Sequence, residues 1–155
     1  MIESVIEKEG LPSVVPHRGK MLLLSRIVGY DLEERSIEAE YHITKDCVFY
    51  DSAADGVPAW VGFEFIAQSI SAFSGIRDRE KGRPPKIGFV LAVSKLRMGL
   101  SFFKAGSTVT IRSKEVDNMS PVFVFEGGIF VDGEKVLDGK LTVMEVDDEN
   151  AKRFK

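Results

Sequence analysis

One stretch, residues 57–80 (VPAWVGFEFIAQSISAFSGIRDRE), is the only long run with helical spacing in a chain otherwise patterned for strands. Asp55 and Gly56 are turn residues, and Pro58 suits a first helical turn, where a missing N–H costs nothing. Beyond it Trp60, Val61, Phe63, Phe65, Ile66, Ala67, Ile70, Ala72, Phe73 and Ile76 cover nearly the whole circumference. A helix apolar on most sides is one wrapped by protein. Into that cylinder are set Glu64 and Gln68, four apart and therefore stacked on one face, with Ser71 on the same stripe. A carboxyl group buried there must be protonated, paired or hydrogen-bonded, and those conditions also suit acid–base chemistry. The plainer alternative is a satisfied structural pair.

The remaining pattern says what wraps the helix. Residues 1–9 are compatible with a short helix; Gly10, Pro12 and Pro16 then leave 11–20 irregular, carrying His17 and Arg18. Residues 21–30 and 35–43 predict two strands joined by a loop at 31–34. After the helix, KGRPP at 81–85 is a loop, and 86–98, 107–116, 122–131 and 135–146 predict four more strands, with turns at Ala105-Gly106 and Asp132-Gly133. Two strands, one buried helix and four strands describe an α+β protein in which a curved antiparallel sheet wraps one central helix, the order of a hotdog fold. The expectation is one domain over 1–155, with its core at about 14–146 and a charged tail at 147–155.

Composition narrows the function classes. With 44% hydrophobic and 29% charged residues and a formal net charge of −3, the chain reads as a soluble globular protein without the basic excess that nucleic acid or an anionic membrane surface would demand. No run is long enough to span a bilayer and no leader-like start appears, so a cytoplasmic location is expected. Cys47 is the only cysteine, which excludes an intrachain disulfide and a cysteine-rich metal site. His17 and His42 fall in different elements, so no metal is expected.

Several motifs resemble those of a known family. Residues 16–27 (PHRGKMLLLSRI) resemble the P-H-R-x-P-F-L-L-V-D-R-V opening of FabZ-like 3-hydroxyacyl-acyl carrier protein dehydratases. Pro58-Ala59 followed by Glu64 and Gln68 resembles their P-G-V-L-x-x-E-A-x-A-Q, and Val131-Asp132-Gly133 their closing turn. One departure stands out: the family's G-H-F-P-G-x-P histidine lies fourteen residues before the glutamate, and Tyr50 occupies that position here. The combination is similar to the ApeP-like branch, associated with pathways such as aryl polyene biosynthesis.

The resemblance implies dehydration of a 3-hydroxyacyl thioester carried on the phosphopantetheine of an acyl carrier protein or CoA, with no cofactor of the protein's own. Glu64 would be the acid, Gln68 would orient it, and the Ala59 and Trp60 amides at the helix N-terminus would hold the thioester carbonyl. His17 is the first candidate for the base, with Tyr50 and Asp51 second. Two alternatives stay open: a thioesterase in which Glu64 or Asp51 activates water, and a non-catalytic subunit that binds acyl carriers. A homodimer is expected under all three.

Overall fold

The computed structural model describes residues 5–146. Its strands are β1 Arg26–Asp31, β2 Ser36–His42, β3 Gly56–Pro58, β4 Ile87–Met98, β5 Phe102–Lys104, β6 Thr108–Met119, β7 Val122–Val131 and β8 Glu134–Val146, and its one α-helix is α1 Gly62–Glu80. Six strands form an antiparallel sheet in the order β1-β2-β6-β7-β8-β4, while β3 and β5 pair separately. Side chains alternate across β2, β6 and β8. The inward row, including Ile37, Val109, Ile111, Phe125 and Leu141, packs on Phe65, Ile66 and Phe73 of α1. This is the hotdog arrangement, and α1 lies against β2, β6, β7, β8 and β4 of the sheet. β4 breaks the pattern: eleven of its twelve residues are exposed, only Leu96 being intermediate.

Three local expectations change, each for a physical reason. The long helix starts at Gly62 rather than 57, because Val57 and Pro58 are drawn into β3 and Ala59–Val61 form a 3-10 turn. The expected helix at 1–9 is absent over its described part: Ile6 exchanges both backbone hydrogen bonds with Ile27 (3.0 and 2.9 Å), covering the β1 edge, and a 3-10 helix follows at Lys8–Ser13. Residues 1–4, like the whole of the expected tail at 147–155, lie outside the described residues. The strand expected over 21–30 begins only at Arg26, because the backbone of 21–24 bonds to side chains and to a preceding 3-10 turn at Gly19–Met21 instead of a neighbouring strand. Gln68 takes Leu23 N–H and Met21 C=O, and Lys8 Nζ takes the carbonyls of Leu22 and Leu24.

The irregular segment lies directly on α1, and Gly75 is what lets it. A Cβ at residue 75 would collide with the carbonyl of Val14. Alanine there gains about 1 kcal/mol of helix propensity but must push the segment away. The Gly75→Ala protein is therefore expected to lose about 2 kcal/mol or more of stability, read as a lower urea midpoint. A midpoint equal to or above the wild type would remove this close approach from the account.

Candidate active site

Three side chains hold segment 8–24 in place, two by bracing it internally and one, Gln68, by tying it to α1. Lys8 Nζ donates to Leu24 O at 2.6 Å and Leu22 O at 3.3 Å. The Arg18 guanidinium folds back on its own segment, donating to Val15 O (2.6 Å), His17 O (2.8 Å) and Pro12 O (3.2 Å). Gln68, fully buried, does most: its Oε1 accepts from Leu23 N–H at 2.8 Å, and its Nε2 donates to Met21 O at 2.7 Å and to Glu64 Oε1 at 3.0 Å. One amide thus fixes both the loop and the carboxyl group.

The result brings His17 to Glu64, with Nε2 and Oε1 3.9 Å apart and the side chains 27% and 25% exposed. That separation is beyond a direct hydrogen bond and leaves both groups facing the same space. Burial pushes the His17 pKa below its ordinary value; Glu64 pulls it up and Arg18 adds to the lowering. Nδ1 of His17 is buried without a hydrogen-bond partner. The net direction favours neutral imidazole, the form able to accept a proton. From this pair a cleft of about 150 Å³ runs along α1 to Ser74, Lys86 and Glu145.

The other expected site residues are placed elsewhere. Tyr50 donates its hydroxyl to Asp55 Oδ1 at 2.6 Å, a bond that raises the phenol's pKa, and Asp51 Oδ1 accepts from Ala53 N–H at 2.9 Å. Both belong to the loop before β3 and neither lines the cleft of this chain. The Ala59 amide is taken by Ser101 O at 2.9 Å, so it does not offer a free donor to a thioester carbonyl; the pairing of β3 with β5 has captured it. Trp60 sits in the turn leading into α1, half-exposed and edge-on to Phe49. His42 lies exposed with Nδ1 2.8 Å from Thr108 Oγ1. Among the described residues no cluster of three or more His, Cys, Asp or Glu could hold a metal, and no helix is long and apolar enough to cross a membrane.

Sequence reasoning missed Ser74, Lys86 and Glu145, which converge at the far end of the cleft. Ser74 follows Ser71, already on the singled-out stripe, by three residues, a signal that could have found it; Lys86 and Glu145 arrive only through tertiary pairing. A larger hollow of about 400 Å³ lies along β6, β7 and β8, away from Glu64. Its charges are largely paired within the sheet, as Arg97–Asp138, Arg112–Glu38 and Lys140–Glu126, which is how a solvated sheet face looks.

Comparison with known proteins bears on the family and the fold. A model of the ApeP-like family, described as ApeP dehydratase, matches residues 10–154. The 3-hydroxyacyl-(acyl-carrier-protein) dehydratase FabZ of Chlamydia trachomatis serovar L2 is 27% identical over 154 residues, covering 94% of this chain and 96% of the relative. FabZ of Chlamydia caviae is 30% identical over 96 residues, covering 60% of this chain and 62% of the relative. Among solved structures, a chain of the dehydratase heterocomplex ApeI:P from Xenorhabdus doucetiae superposes with a TM-score of 0.85 at 20% identity, covering 93% of this chain and 95% of that one. An uncharacterized protein from Pyrococcus horikoshii superposes at 0.66 with 13% identity, covering 96% and 97%. With the family model covering nearly its whole length and the same fold in its structural neighbours, this chain belongs to the ApeP-like dehydratase family.

Proposed function

We propose that the protein eliminates water from a 3-hydroxyacyl thioester carried on the phosphopantetheine arm of an acyl carrier protein or CoA, with His17 and Glu64 as the reacting pair. The observation that carries this reading is the pair itself: a neutral imidazole and a carboxyl group 3.9 Å apart at the head of a partly apolar cleft. His17 Nε2 takes the proton from the carbon next to the thioester carbonyl. The electrons form the double bond as the C–O bond breaks, and Glu64 gives its proton to the departing hydroxyl. Imidazolium and carboxylate are left facing each other, and passage of one proton between them resets the site. Gln68 keeps Glu64 aimed throughout, and the Trp60 amide, at the positive end of α1, is the remaining candidate for the thioester carbonyl.

The active form is a homodimer under this proposal. β4 is the open edge of the sheet and exposes Ile87 (56%), Phe89 (50%) and Leu91 (53%), with Val90 and Val93 each at 39%. An apolar edge strand of that length is an aggregation hazard unless a second strand covers it. Ile87, Phe89 and Val90 also line the cleft, so a second copy at this edge would close the site's open wall.

Three outcomes test the reading. Intact-mass measurement on a 3-hydroxyacyl carrier protein should show loss of one water, slowed about 10²–10⁴-fold by Glu64→Gln; release of free carrier thiol would mean hydrolysis instead. Because burial lowers the His17 pKa, neutral base persists below the ordinary histidine value of 6.5, and kcat/KM should decline on the acid side only below that pH. His17→Gln should lower the rate about 10²-fold or more and abolish this limb; an unmoved acid limb would assign the base to another group. Leu91→Lys should shift the protein from dimer to monomer in light scattering and lower its activity, whereas a monomeric wild type would discard the dimer.

A further inference from the structure

The cleft that begins at His17 and Glu64 does not end in hydrocarbon. Glu64 and Ser74 lie ten residues apart on α1, about 15 Å along its axis, and buried Ile70 and Val143 line the space between. At the far end the surface turns polar. One carboxylate oxygen of Glu145 accepts from the Ser74 hydroxyl and from Arg77 Nη2 at 3.1 Å, and the other faces Lys86 Nζ at 3.7 Å. Lys86 Nζ also faces Asp78 Oδ1 at 3.5 Å. Both Lys86 separations exceed an ordinary N–H···O bond, so its ammonium keeps donors to spend on something in the cleft.

Lys86 is the cation beside buried Asp78, and its ammonium also fronts the cleft. Arg77 already ties Glu145 to the helix: its guanidinium lies over the rings of Phe73 and Phe123, 5.3 and 5.1 Å from their centroids, and also donates to buried Glu115 at 3.1 Å. Lys86 is surplus to that clamp, is 24% exposed and lines the cleft. An acyl chain ending in a methyl group would strip water from Lys86 and Glu145 and return no hydrogen bond. A chain ending in a hydroxyl would return one.

We infer that Lys86, with Ser74 and Glu145 beside it, is a chain-end subsite that selects acyl groups carrying a hydrogen-bonding terminus, an ω-hydroxyl in the simplest case, over methyl-ended chains of equal length. The inference rests on the dehydratase reading and adds the substrate's far end to it. The site then checks its substrate at two points, the 3-hydroxyl at Glu64 and the terminus at Lys86, separated by an apolar span.

The test uses the full chain and matched pairs of 3-hydroxyacyl-CoA thioesters, methyl-ended and ω-hydroxylated, over a short series of lengths. At the length that spans the cleft, kcat/KM should favour the ω-hydroxylated member by about tenfold. Lys86→Met, which keeps the apolar stem, should erase that preference by raising KM for the hydroxylated substrate while leaving the methyl-ended one unchanged or better. Lys86→Gln, which restores a neutral donor, should recover part of it and carries the comparison if Lys86→Met does not fold. Water loss without preference at any length, or an equal fall for both substrates in the variants, would overturn the chain-end subsite alone. Water loss from neither substrate would overturn the dehydratase reading and this inference with it.

Discussion

The buried amide of Gln68 holds this molecule's chemistry together. Its three hydrogen bonds reach Leu23 N–H, Met21 C=O and Glu64 Oε1, so the helix, the segment leading to β1 and the Glu64 carboxyl group are fixed by a single side chain. Removing any partner from such a network leaves buried donors or acceptors unsatisfied, at about 1–3 kcal/mol each. The geometry also explains why Met21–Leu24, apolar enough for a strand, is not one: its backbone groups already have partners from Lys8, Gln68 and the preceding 3-10 turn. Local structure here follows from where the polar atoms find satisfaction, not from propensity.

The sheet treats its two edges differently. β1 is capped by the Ile6 bridge, whereas β4 shows its apolar side chains to solvent. The cleft opens along this unprotected side, so the requirement to cover an edge and the requirement to enclose a substrate fall on the same surface. A protein that satisfied its β4 edge within one chain would have to build that wall from another element.

Much of this was legible in the residues. The alternation in 35–43, 107–116, 122–131 and 135–146 placed the strands within a few residues, because each has one buried and one solvated face and period two is then enforced. Glu64 and Gln68 were legible as a pair because helical geometry alone stacks residues four apart. The start of α1 was not: Pro58 reads as a first-turn residue by its fixed φ, but the same φ suits the end of a short strand, and only the long-range partner Phe102 decides between them. The described part of 1–9 departs likewise, since Ile6 pairs with a strand twenty-one positions away. Lys86 and Glu145 carry no local signal at all. They meet Ser74 because β4 and β8 pair with Gly88 opposite Glu145.

The contact between Gly75 and the Val14 carbonyl bears on how the catalyst works in time. Many active sites hold a catalytic group on a flap that closes over substrate, and discriminate by whether closure succeeds. Here the segment carrying His17 rests against helix backbone with no side chain between them, Lys8 and Arg18 brace it from within, and Gln68 ties it to α1. Such a mount has no hinge. With His17 as the proposed base, recognition would be lock-and-key at the imidazole, and any choice between substrates would be made by the shape and polarity of walls that stand still while the acyl chain moves.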